Sequence, residues 1–204
     1  MKKTLTVLLA LVLVIAMSVA GTMAYLTSKD EVVNTFTVGK VQIKLDEAKV
    51  NEYGQKLNAA GNVAQESDTL AARVKANEYK LIPGHEYVKD PVIHFQPKSE
   101  ASWLFVKVEN GIKDIVADKS IEAQIASNEW TLLANTDNVY YKSVSANTSE
   151  TAAVDYPVFG SFTLKSGADV ARYEKAQIKV TAYAIQADGF TAPEAAWAEL
   201  NPTT

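Results

Sequence analysis

Polar and apolar positions follow two regimes along this chain. From Leu5 to Ala20 nearly every side chain is apolar, with Lys2 and Lys3 ahead of the run and small residues after it. A positive start, an apolar stretch and a small-residue exit make up the grammar of an export signal. Thr22-Met23-Ala24 offers small side chains at both positions that a signal peptidase reads, so the expected cut falls after Ala24 and leaves Tyr25 as the new N-terminus. Residues 1–24 are therefore expected to be a signal helix. The membrane enters only through the uncleaved leader, whose apolar run approaches the length of a short span. The ending Asn201-Pro202-Thr203-Thr204 lacks a wall-sorting signal.

Beyond the leader, period-two alternation takes over. In Thr35–Leu45, Phe36 and Val38 alternate with Thr35 and Thr37, and Val41, Ile43 and Leu45 alternate with Gln42 and Lys44. The two sets are out of phase, and the slip falls at Gly39-Lys40. A one-residue slip turns every side chain to the other face, so Gly39 marks a bulge or the junction of two strands. Strand patterns return at Tyr79–Ile82, Pro91–Phe95, Trp103–Glu109, Glu129–Leu133, Val139–Lys142 and Val158–Leu164. In the last of these Val158, Gly160, Phe162 and Leu164 share a face. Pro83-Gly84 reads as a type II turn. Gln177–Ala187 is apolar on both faces, which predicts a central strand. Helical spacing is confined to Asp68–Lys75, Lys119–Ala126, Val170–Lys175 and Thr191–Leu200, the last with capping-box spacing between Thr191 and Glu194.

Many short strands and few helices predict an all-β, jelly-roll-like sandwich. Its expected organisation is a signal peptide over 1–24, a separate N-terminal strand over 25–40 and one β domain over 41–204. Residues 46–77, rich in Ala, Asn and charge, read as a polar surface insertion. No internal repeat is evident.

Composition narrows the chemistry. The chain has 204 residues and no Cys, which excludes disulfides, thiol catalysis and Cys-ligated zinc. Taking Lys2 and Lys3 away with the leader leaves 18 basic side chains against 24 acidic, a net of −6. A mildly acidic chain without a basic block is a poor partner for nucleic acid. His85 and His94 are the two imidazoles. His85-Glu86 opens the His-Glu-x-x-His metalloprotease pattern, but Lys89 stands where the second His belongs, and flanking Pro83 and Pro91 oppose the helix that the motif needs. There is no Gly-x-Ser-x-Gly elbow, phosphate-cradling loop or EF-hand pattern. Asp46-Glu47 and Asp188 are loop carboxylates, and Trp103, Trp130 and Trp197 sit within apolar patterns that place them in the core. No cofactor, no metal and no catalytic residue is expected.

Several of these pieces together resemble the TasA/camelysin family. They are the leader running into Thr22-Met23-Ala24-Tyr25-Leu26-Thr27, then Asp30, Asn34, Phe36-Thr37, Gly39 and Val41-x-Ile43-x-Leu45. Asn77-x-Tyr79-x-Leu81-x-Pro83-Gly84, Lys89-Asp90-Pro91-x-Ile93 and Ile178-x-Val180-x-Ala182-Tyr183-Ala184-Ile185-Gln186-Ala187 add to it. The resemblance implies a jelly-roll-like domain exported by a Gram-positive cell, its leader cut by a signal peptidase of the SipW type. It implies location on the cell surface or in the biofilm matrix, and partnership with itself or a paralogous matrix protein. It also implies fibre assembly by donor-strand insertion, with Asn34, Phe36, Val38 and Gly39 in the donor strand. Strand addition supplies backbone hydrogen bonds and seats alternate side chains in pockets. An accessory subunit of such fibres is the variant of this reading. A camelysin-like surface metallopeptidase and a monomeric binding module are the alternatives.

Overall fold

The computed structural model describes residues 39–117 and 121–200. The chain divides between Val38 and Gly39, and the described residues belong to the second unit. The signal helix, the cut between Ala24 and Tyr25, and Asn34, Phe36 and Val38 lie outside the described residues.

Among those residues the strands are β1 (Ile43–Asp46), β2 (Glu86–Val88), β3 (Val92–Phe95), β4 (Ser102–Asn110), β5 (Thr131–Leu132), β6 (Val139–Val144), β7 (Val154–Pro157), β8 (Ser161–Thr163) and β9 (Ile178–Gln186). Two short helices, α1 (Ile121–Ser127) and α2 (Pro193–Leu200), and two 3-10 turns, Lys113–Ile115 and Val170–Tyr173, interrupt them. All pairing is antiparallel, in the orders β1-β3-β7, β2-β8 and β5-β6-β4-β9. The fold is the all-β sandwich with few helices that the alternation predicts.

Alternation also sets the layers. Leu104, Val106 and Val108 of β4 point into the main core, where they meet Ile93 and Phe95 of β3, Tyr87 of β2 and Phe162 of β8. Phe105 and partly buried Trp103, on the other face of β4, join Tyr183 and Ile185 of β9 and Ala196 and Trp197 of α2 in a second cluster. The four-stranded sheet is thus covered on both faces, by the opposing strands on one side and by α2 on the other.

That arrangement corrects the placement of β9. It lies at the edge of its sheet, and β4 takes the interior position. Apolar side chains on both faces report two covered faces, and say nothing about neighbours in the plane of the sheet. Other expectations also shift. Pro83-Gly84 forms its turn, with Gly84 at φ +78° and the His85 N–H donating to the Ile82 carbonyl at 3.1 Å. Tyr79–Ile82, however, has no strand partner among the described residues. Val158–Leu164 is regular only over Ser161–Thr163, because Val158 and Phe159 are both buried and Gly160 is exposed. Helix α2 starts at Pro193 rather than directly after Thr191; proline suits the first helical position, where its missing N–H costs nothing.

The polar insertion is ordered, and its expected helix at Asp68–Lys75 is absent. It holds instead three turns spaced seven residues apart. The N–H groups of Gly54, Gly61 and Asp68 return to the carbonyls of Asn51, Asn58 and Gln65 at 2.9, 2.9 and 3.0 Å. Asn51 Oδ1 accepts from the N–H of Tyr53 and Gln55, and Asn58 Oδ1 from Ala60 and Asn62. Such side-chain acceptors outcompete helical bonding. Successive turns are joined by Leu57 N–H to Lys49 O, Ala64 N–H to Lys56 O and Ala71 N–H to Leu57 O, at 3.0, 2.8 and 2.9 Å. The chain therefore does contain an internal repeat. Gly54, at φ +72°, lies so close that a Cβ there would stand 2.7 Å from Tyr87 Cα, which ties the first turn to the core.

Candidate functional site

The sandwich is not closed between β1 and β9, the outermost strands of their sheets. A cleft of about 1190 Å³ opens there. Leu45, Asp46 and Glu47 from β1 and just beyond it, together with residues 75–81, form one wall. Ile178, Lys179 and Val180 at the start of β9, with residues 173–177 before it, form the other. Phe162 and Ile112 come up from the core to line it. Leu45, Tyr79, Leu81, Ile178 and Val180 pack on the core yet remain only half-buried. The cleft therefore exposes the side of a hydrophobic core, and further burial of that surface by an added segment would be favourable.

A buried ion pair lies against the cleft. Lys89 Nζ is 2.6 Å from Glu47 Oε2, and Asn77 donates through Nδ2 to Glu47 Oε1 at 2.9 Å. The Tyr79 hydroxyl donates to the Val88 carbonyl at 3.1 Å. Burial pushes the Tyr79 phenol well above its ordinary range, the charges of Glu47 and Asp90 push the same way, and a hydrogen bond with Asn77 opposes them. It stays protonated in this wall.

A second polar constellation fixes β1 from its outer face. His94 of β3 lies with Nε2 2.8 Å from Asp46 Oδ1 on β1 and Nδ1 2.5 Å from Asp155 Oδ1 on β7. Arg73 donates to Asp46 Oδ1 at 2.5 Å and to the carbonyls of Asp46 and Asp90, while Lys56 pairs with Asp90 at 3.0 Å. Lys75 donates to the Leu45 carbonyl. One imidazole thus clasps all three strands of its sheet. Burial lowers the His94 pKa, but the hydrogen bonds and charges of Asp46 and Asp155 outweigh it and the net shift is upward. Burial raises Asp46, and the bonds and charges of His94 and Arg73 reverse that into a net lowering.

The signs give a pH prediction. A histidine raised on folding contributes stability that is complete below its unfolded pKa and lost as pH climbs through the folded one. An aspartate lowered on folding contributes stability above its unfolded pKa, lost as pH falls through the folded one. The clasp is therefore strongest between the two ranges. Thermal melts from about pH 5 to about pH 9 should show the midpoint declining on the alkaline side, and His94→Gln should flatten that decline. An unchanged profile in His94→Gln would show that the clasp contributes nothing.

Of the sequence-predicted site residues, Gly39 is described. It precedes β1 as irregular chain beside β9, where a Cβ would stand 3.1 Å from Glu100 Cγ and 3.3 Å from Gln186 Oε1. After it the alternation runs as expected, with Val41, Ile43 and Leu45 half-buried and Gln42 and Lys44 exposed. The two histidines are not brought together. His85 precedes β2, its Nε2 2.8 Å from the Tyr53 carbonyl and its ring edge-on to Tyr87, whereas His94 lies in the β1-β3-β7 sheet. Asp46 and Glu47, expected as loop carboxylates, are instead the last residue of β1 and the residue after it, and both are engaged by cations. Among the described residues no group of three His, Cys, Asp or Glu side chains could hold a metal ion. No helix among them is long and apolar enough to cross a membrane. Trp130 is buried, with Nε1 donating to the Pro157 carbonyl at 2.9 Å. The cleft wall at residues 173–177, Asp155 and the Glu47–Lys89 pair carry no sequence signal, since each depends on which distant strands pair.

Comparison with protein families, with curated proteins and with solved structures returned no match.

Proposed function

We propose that this chain is an exported structural protein of the cell surface or biofilm matrix, and that it assembles by donating the N-terminal strand of one copy to the cleft of the next. The observation that carries this reading is the cleft itself, an opening between β1 and β9 where half-buried Leu45, Tyr79, Leu81, Ile178 and Val180 leave the side of the core uncovered among charged rim residues. Exposed edges of this length are usually blunted by charge, proline or cover. Edge β7 ends in Pro157, and edge β5 is only two residues long. Edge β9 is nine residues long, with Lys179 as its one charged side chain. Its start, Ile178–Val180, leaves an uncovered edge along one wall of the cleft. Phe36 and Val38 supply the alternate apolar side chains that a donated strand needs. Burying two of them is worth roughly 3–6 kcal/mol before ordering costs. A donor at one place and an acceptor at another make a heterologous contact, which propagates as a filament. The leader tethers the donor until it is cut, so that cleavage would start assembly.

Electron microscopy of the chain from Tyr25 onward, beside the same chain lacking Tyr25–Val38, tests the proposal. Fibres from the first and dispersed particles from the second are expected. Phe36→Asp should also abolish fibres, because it would carry a charge onto the exposed side of the core at Leu45, Tyr79 and Leu81. Fibres from the shortened chain would rule out strand donation.

A further inference from the structure

Segment 77–82 has the look of a strand that lost its partner. Its residues alternate strictly between half-buried and exposed, with Asn77, Tyr79 and Leu81 inward and Glu78, Lys80 and Ile82 outward. Its backbone is satisfied along one edge. The Lys80 N–H donates to the Glu52 carbonyl at 2.8 Å, the Ile82 N–H donates to the Tyr87 hydroxyl at 2.7 Å, and that hydroxyl donates to the Lys80 carbonyl at 2.6 Å. In extended chain the N–H groups of successive residues point to opposite sides. The odd-numbered donors, Tyr79 and Leu81 N–H, belong to the other edge and have no partner among the described residues. Unpaired backbone groups in an apolar setting are costly. This segment lines the cleft, which opens between it and the start of β9.

We infer that segment 77–82 is the backbone partner of the incoming strand, and that the occupant of the cleft is the 25–38 segment of a second copy. This rests on the proposed strand donation and specifies where it happens. Covalent reach keeps the chain's own Phe36 and Val38 out of the middle of the cleft. Gly39 sits beside Gln186, at the far end of β9 from the cleft. Six residues of strand, about 20 Å, separate Gln186 from Val180, the nearest cleft residue of β9. The backbone of Phe36, three residues from Gly39, can lie at most about 11 Å away from it. Phe36 and Val38 therefore cannot seat in the middle of their own cleft, whereas those of another copy can. The incoming strand would present Phe36 and Val38 on the same side as Tyr79 and Leu81, since directly paired residues of neighbouring strands face the same way.

The chain has no cysteine, so paired thiols can map this contact. The full chain, exported and processed by its host, would carry Phe36→Cys with one of Glu78→Cys, Tyr79→Cys, Lys80→Cys or Leu81→Cys. Oxidised fibres would then be run on a non-reducing gel. Ladders of covalent multimers are expected with Tyr79→Cys or Leu81→Cys and not with Glu78→Cys or Lys80→Cys. Should the inward replacements disturb folding, Thr37→Cys with Glu78→Cys or Lys80→Cys tests the same register on the outward face, and one of these pairs should give ladders. Fibres without ladders, or ladders without this alternation, would overturn the assignment of segment 77–82 while leaving strand donation intact. Absence of fibres from reduced Phe36→Cys and Thr37→Cys chains and from the unmodified chain would overturn both.

Discussion

Phe162→Ala should lower the free energy of unfolding by about 3–5 kcal/mol, the range for truncating a buried aromatic. Phe162 is 2% exposed. Its ring stacks on Tyr87 at 5.0 Å and meets Tyr79 edge-on at 5.8 Å. Together these rings bind the two-stranded β2-β8 sheet to the main core and floor the cleft. A domain of this size has about 5–15 kcal/mol of stability in total, so the loss would consume a large share of it. Phe162→Leu keeps most of the volume and should cost less than about 1.5 kcal/mol. Urea denaturation followed by tryptophan fluorescence gives both values. A loss below about 1 kcal/mol for the alanine variant would mean that the neighbouring rings collapse into the space.

Lys89→Ala should be nearly as damaging, at about 3–5 kcal/mol, because it strands a buried carboxylate. Glu47 is 4% exposed and retains only Asn77 as a side-chain partner once Lys89 is gone. The pair itself is another matter. Desolvating two ions offsets much of their attraction, so replacing both together can be close to neutral. The double variant Glu47→Gln with Lys89→Met should therefore recover most of what Lys89→Ala loses. A double-mutant cycle in urea measures the coupling. If both single variants lay within about 0.5 kcal/mol of the parent chain, the pair would be behaving as a surface bridge and the wall of the cleft would be wetter than its geometry implies.

The strands that were legible in the sequence are those whose pattern is local. β3, β4, β6 and β9 follow from period-two alternation, and the turn at Pro83-Gly84 follows from two residues. What escaped was decided by distant partners. β7 carries Asp155 and Pro157 and reads as loop, yet it pairs with β3 because His94 meets Asp155 and because an edge tolerates a proline at its end. The edge position of β9 was hidden by α2, whose cover made its outer face as apolar as an interior strand's. The insertion had a signal that alternation analysis overlooks: Asn51, Asn58 and Gln65, and Gly54, Gly61 and Asp68, recur at a spacing of seven. The cleft was only half legible. Its strand-like wall was visible as alternation over Tyr79–Ile82, but nothing local says that one edge of that segment goes unpaired.

The position of Gly39 has a mechanical consequence. Gly39, where the described chain begins, stands beside Gln186, and the cleft lies toward the opposite end of β9. In a filament joined through these two points, tension would enter at the start of β1, into which Gly39 leads, and leave near the far end of that strand, where Leu45 and Glu47 line the cleft. The ladder between β1 and β3, registered from Ile43–Phe95 to Asp46–Val92, would then be loaded along its length. All its hydrogen bonds would share the force at once, as in shear, instead of opening one after another like a zip. Such a subunit would yield late and abruptly under pull, a useful property for a thread that holds cells together.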